Sequence, residues 1–79
     1  MGETKVYSQE EIKDALIEET IKEVAENLKE KGYNPINQIV GYLMSGDPGY
    51  ISSYKESRTK ITKIDRTKIL EIFVRDYLK

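Results

Sequence analysis

The side chains that most often do chemistry in proteins are missing from this sequence. There is no histidine and no cysteine among its 79 residues. The commonest metal ligands, general acid–base groups and thiol nucleophiles are therefore absent. A Ser-His-Asp or Cys-His triad and a zinc centre are excluded on that ground. Carboxylates remain, and nine of the fourteen acidic residues fall in 1–31. On a helical projection those of the first predicted helix spread around a solvated face, with no gathered pair suited to general acid–base work. Asp47, in Gly46-Asp47-Pro48-Gly49, reads as a helix cap. The proline beside it removes an amide that a phosphate-cradling loop would use. The composition thus points to a non-enzyme, with no cofactor and no metal.

What remains is the chemistry of recognition and modification. Residues 55–68 hold six basic side chains against two acidic ones. Within them Arg58 and Lys63 fall on one broad helical face, with Arg66 close by across the turn at Asp65. Such a cluster could dock a carboxylate-rich or phosphorylated segment; its ordinary alternative is a solvated surface. The formal net charge is −1, but the halves differ: residues 1–31 carry −4 and residues 32–79 carry +3. A small helix-turn-helix-like nucleic-acid binder using residues 54–68 is the alternative function. Against it stand the near-neutral balance and the lack of an Arg/Asn/Gln-rich recognition helix. Thr4, between Glu3 and Lys5, sits in a stretch (1–8) with no helical period, the kind of terminus expected to be mobile. Its hydroxyl is a possible phosphate acceptor, though a lone threonine near a terminus normally carries no meaning. Thr20, Thr59, Thr62 and Thr67 lie in predicted helices and are poorer candidates.

The elements that must position these groups are organised around two joints of one design. At the first, Gly32 suits the left-handed conformation that ends a helix. Asn34 caps the next helix, and Pro35 fits its first position, where no backbone N–H is needed. At the second, Ser45-Gly46 stops that helix and Asp47-Pro48 restarts the chain in the same way. Between the joints Ile36, Ile39, Val40 and Leu43 share a helical face with Met44 at its edge, while Tyr42 lies off it and is expected either to meet a partner chain or to stand in solvent. Upstream, Ser8 and Glu11 read as a capping box opening a helix over residues 9–31. Its apolar stripe is Ile12, Leu16, Ile17, Ile21, Val24, Ala25 and Leu28. Downstream, Tyr50 or Ile51 drops into the core. Ser52 or Ser53 caps a helix over 54–63, with Ile61 and Ile64 inward. Asp65 caps a last helix over 66–79, striped by Ile69, Leu70, Phe73, Val74, Tyr77 and Leu78.

The expected fold is all-α: a compact bundle of four main helices with short loops in one domain, residues 9–79, behind a mobile tail of residues 1–8. So small a core, beside wide apolar stripes, makes a homodimer the expected state. The absence of cysteine and of a signal-peptide-like segment fits a reducing cytoplasm. No apolar run approaches the ~20 residues needed to cross a bilayer.

The block from Gly32 to Asp47 (Gly-Tyr-Asn-Pro-Ile-Asn-Gln-Ile-Val-Gly-Tyr-Leu-Met-Ser-Gly-Asp), continuing into Pro48-Gly49-Tyr50-Ile51, resembles the signature of the IreB/ReoM family. These are small regulatory phosphoproteins of Gram-positive bacteria. The resemblance extends more loosely from Glu3 to Lys79. It implies that Thr4, preceded by an acidic residue in a short tail, is the target of a membrane Ser/Thr kinase with extracellular PASTA repeats, opposed by a phosphatase. It further implies that Arg58, Lys63 and Arg66 occupy basic positions of a partner-binding region. The implied output is cell-wall precursor synthesis, and with it envelope stress and antibiotic resistance, through Clp-protease turnover of the first committed enzyme of peptidoglycan synthesis. Ser53 and Thr62 stand where relatives often carry arginine, which implies a weaker basic cluster here.

Overall fold

In the computed structural model, which describes residues 6–79, the chain forms four α-helices: α1 (Gln9–Glu30), α2 (Pro35–Ser45), α3 (Ser57–Thr62) and α4 (Arg66–Tyr77). Two short 3-10 turns, Pro48–Tyr50 and Tyr54–Glu56, link α2 to α3. There is no strand among the described residues.

Local chemistry sets each boundary. Ser8 Oγ accepts the Glu11 amide at 3.1 Å while the Glu11 carboxylate accepts the Ser8 amide at 3.2 Å, a reciprocal capping box. At the other end Gly32 takes φ +94°. Its N–H donates to the Lys29 carbonyl at 3.0 Å, and that of Tyr33 donates to Leu28 at 2.9 Å. This double closure satisfies carbonyls a helix end otherwise leaves open. Asn34 Oδ1 then accepts the Asn37 amide at 3.1 Å, and Pro35 opens α2. The second joint repeats the scheme. Gly46 is left-handed at φ +75° and its N–H meets the Tyr42 carbonyl at 2.7 Å. Asp47 Oδ1 accepts the Gly49 amide at 2.8 Å, starting the Pro48–Tyr50 turn. Asp65 Oδ1 accepts the Thr67 amide at 2.8 Å and opens α4.

The core lies along α1, against which α2 and α3 pack. Val24, Leu28, Ile51, Ile61 and Ile69 have no exposed surface, and Ile72 has almost none. Each such side chain contributes on the order of 1.5–3 kcal/mol through burial. Ile51 rather than Tyr50 enters the core; the half-exposed Tyr50 ring instead rests against Gly41, where a Cβ would stand 2.4 Å from Cδ1.

Three expectations about the buried faces are corrected. Tyr42 is not off the packed face but in it, at 5% exposure, with Ile39 and Leu43. Ile36 and Val40, expected inward, and Met44, expected at the edge of that face, are 73%, 51% and 81% exposed. α2 is thus rotated about its axis from the expected phase, and the 39/42/43 ridge, not the 36/40/44 ridge, meets the core. In α4 the inward pair is Ile69 and Ile72, while Leu70, Phe73, Val74, Tyr77 and Leu78 stay exposed. In α1 the stripe is buried only from Ile21 onward; Ile12 and Leu16, nearer its start, are about half exposed.

The third expected helix is also divided. Ser52 Oγ, not Ser53, accepts the Tyr54 amide at 3.1 Å. Lys55 (φ +51°) and Glu56 (φ +61°) are both left-handed, which breaks the chain direction before α3. Ion pairing and aromatic contact hold this costly pair. Glu30 accepts Lys55 Nζ at 2.8 Å and the Tyr54 hydroxyl at 3.0 Å. Lys31 Nζ sits 5.3 Å from the Tyr54 ring centre.

Candidate partner-binding site

Two of the three cations expected to form a docking face are brought to the second joint, where they hold backbone. Arg58, in the first turn of α3, donates through Nε to the carbonyls of Pro48 (3.1 Å) and Ile51 (2.9 Å). Arg66, opening α4, donates through Nη1 to the Leu43 carbonyl at 3.0 Å. Its guanidinium lies over Gly46, where a Cβ would meet Cζ at 2.8 Å. Gly46 therefore serves twice, supplying the left-handed turn and leaving room for the arginine. Between them the two arginines satisfy carbonyls of α2 and of the loop that follows it. Lys63, at the end of α3, is exposed and makes no ion pair among the described residues. Thr4 lies outside the described residues.

The rest of the basic run meets the acidic first helix of the same chain. Lys55 pairs with Glu30 at 2.8 Å, Lys60 with Glu23 at 2.6 Å, and Lys68 with Glu10 at 2.8 Å. The opposite charges of the two halves are thus partly spent on holding α3 and α4 against α1. Contact with Lys55, and then with the Tyr54 hydroxyl, holds the Glu30 carboxyl below its ordinary range. The same carboxylate pushes the Tyr54 phenol up, since it accepts the proton that ionisation would remove.

The carboxylates of α1 are not all spread over a solvated face, which corrects the expectation from the helical projection. Asp14 is buried where α1 crosses α4. Its Oδ2 accepts from Arg75 Nη1 at 2.6 Å, and its Oδ1 lies 3.3 Å from Lys68 Nζ, close enough to pair but without hydrogen-bond geometry. Glu71 joins both cations at 3.4 Å. Arg75 first, and Lys68 after it, hold the Asp14 carboxyl below its usual value against the opposing effect of burial. Hydrogen bonding to Lys68 does the same for Glu10. The five charged groups have a complete structural role as a clamp between the two helices. One signal in the sequence pointed to it: Asp14 stands three and seven residues before Ile17 and Ile21, on the stripe that should be apolar.

The described surface also carries two exposed apolar faces. One is a groove of about 470 Å³ between α2 and α4, lined by Ile36, Val40, Met44, Leu70 and Phe73 among others. The other runs along the amino-terminal half of α1, around Ile12 and Leu16. Among the described residues no three acidic side chains gather in a geometry able to hold a metal ion. No helix there is long and apolar enough to cross a membrane. These apolar faces are set on a scaffold jointed by Gly32, Asn34, Pro35, Gly46, Asp47 and Pro48. A model of the IreB regulatory phosphoprotein family matches residues 2–79, joints, basic positions and Thr4 included. The chain belongs to the IreB family of regulatory phosphoproteins.

Proposed function

We propose that this protein is a non-enzymatic regulator that acts by binding other proteins in the cytoplasm and is switched by phosphate on Thr4. The family match carries the reading, because it spans residues 2–79 and so takes in the Glu3-Thr4 pair. The kinase is of the PASTA-repeat Ser/Thr class and is opposed by a phosphatase. The output is the Clp-dependent turnover of the first committed enzyme of peptidoglycan synthesis, and through it resistance to envelope stress. Thr4 stands five positions before Gln9, where the first helix begins, and a kinase cleft takes its substrate as an extended segment. Phosphate adds nearly two negative charges there without disturbing the core. Lys63, with the outer edges of Arg58 and Arg66, is the basic surface a downstream partner contacts.

The working state is a homodimer paired through the α2–α4 groove. Its lining side chains are apolar, and Ile36 and Met44 are left 73% and 81% exposed by one chain alone. A nucleic-acid partner is disfavoured because Lys55, Lys60 and Lys68 already meet carboxylates of α1. The test is made in the organism's own cells, with Thr4→Ala and Thr4→Glu replacing the natural residue. The two variants should drive the level of the first committed peptidoglycan enzyme in opposite directions, with the regulator's own abundance unchanged. If both leave the enzyme at its natural level, the proposed switch is wrong.

A further inference from the structure

The two exposed apolar faces differ in charge. The α2–α4 groove offers almost no polar surface. The α1 face is rimmed by acid. Ile12 and Leu16, one turn apart, are 50% and 59% exposed and lie beside a hollow of about 620 Å³ bordered by Tyr7 and the end of α4. Five carboxylates line this hollow against two cations. Both cations are engaged: Arg75 with Asp14 at 2.6 Å and Lys79 with Asp76 at 3.6 Å. Glu11, Glu18 and Glu19 are in none of the ion pairs among the described residues.

An exposed apolar pair one helical turn apart suits the apolar stripe of a second helix, whose anchors recur at the same spacing. The acid rim selects the flanks of that helix, favouring lysine and arginine and rejecting glutamate and aspartate. It also argues against a second copy of this chain, since two such rims would face each other across a symmetric contact. We infer that the amino-terminal half of α1 docks a basic amphipathic helix of a partner protein, with apolar anchors over Ile12 and Leu16 and cations against Glu18 and Glu19. This extends the reading of a partner-binding regulator, but its test needs neither kinase nor phosphate, so the two stand or fall separately.

The probe is a synthetic helix of about 18 residues, or five turns, with leucine on one face and lysine on the other. A leucine–glutamate peptide of the same pattern is the control. The full-length chain should bind the lysine peptide, with NMR shifts centred on residues 12–19. Leu16→Ser should weaken binding about tenfold or more, Glu18→Lys with Glu19→Lys should do the same, and Met44→Ser on the other face should leave it unchanged. Because Leu16 is exposed, its variant should keep its helical circular dichroism; the charge-reversed variant gives the answer if it does not. Equal binding of the glutamate peptide, undiminished binding by both α1 variants, or shifts centred on Ile36 and Met44 would overturn the inference. So would a dimer that Leu16→Ser dissociates, because the face would then belong to a second copy.

Discussion

Truncating Tyr42 and truncating Met44 should have sharply different consequences, although the two residues are neighbours on α2. Tyr42 is 5% exposed and belongs to the core cluster drawn from all four helices and Ile51, whereas Met44 is 81% exposed. Removing a buried aromatic ring forfeits its transfer energy and leaves a cavity, together about 3–5 kcal/mol. At roughly 0.05–0.15 kcal/mol per residue, a chain of this length has a total stability on the order of 4–12 kcal/mol. Tyr42→Ala should therefore leave the fold marginal. Met44→Ala removes contacts that a single chain hardly makes and should stay within about 0.5 kcal/mol. Urea denaturation of dilute protein, with the slope checked to be common to all variants, measures both. If the chain pairs through the α2–α4 groove as proposed, Met44→Ala should also lose, at high protein concentration, the stability that pairing adds. Equal losses in dilute solution, or a larger loss for Met44→Ala, would refute the assignment of α2's inward face.

Asn34→Ala should cost about 1 kcal/mol by removing the cap on Asn37, and Gly32→Val should cost more because a β-branched residue is forced to φ +94°; thermal melts equal to the natural chain's would dismiss the joint. Arg58→Ala should lower the melting temperature by roughly 4–8 °C, the equivalent of about 1 kcal/mol at this size, while Lys63→Ala should leave it unchanged and weaken only partner capture; equal melting temperatures would remove the carbonyl-holding role of Arg58. The carboxyls of Glu10, Asp14 and Glu30 are all depressed in the fold. Their contribution is fully present above the ordinary values of 4.5, 3.8 and 4.5 and is lost as pH falls through the lower folded ones. Denaturation midpoints should therefore fall below about pH 4.5, and Asp14→Asn should start lower at neutral pH and fall less; an identical acid slope would contradict the clamp.

The joints were legible in the sequence because capping is decided within four residues: Ser8 with Glu11, Asn34 with Pro35, Asp47 with Pro48 and Asp65 all act where their types and spacing suggested. The rotation of α2 was not, because its apolar residues cover more than half its circumference. Ile39 and Leu43 belong to either possible face, and only tertiary packing in the shared core turns Tyr42 inward. The same ambiguity hid Ile72 among the more numerous apolar residues of α4. Lys55 and Glu56 carry no glycine-like signal for their left-handed backbone, which depends on Glu30, a residue distant in sequence. The Asp14–Arg75 contact joins positions 61 residues apart, beyond any local pattern. At the candidate site the basic residue types were readable, but their division into carbonyl-holding Arg58 and Arg66 and outward Lys63 is a tertiary fact. Thr4 gains its meaning from the family, not from its neighbours.

The central proposal, that this regulator is switched by phosphate on Thr4, is tested most directly by incubating the full chain with the catalytic domain of a PASTA-type Ser/Thr kinase and mapping the phosphate by mass spectrometry. A single phosphate on Thr4, lost in Thr4→Ala and removable by the opposing phosphatase, is the predicted result. Phosphate on Thr20, Thr59, Thr62 or Thr67 instead, or none while a known substrate of the same kinase is labelled, would contradict it.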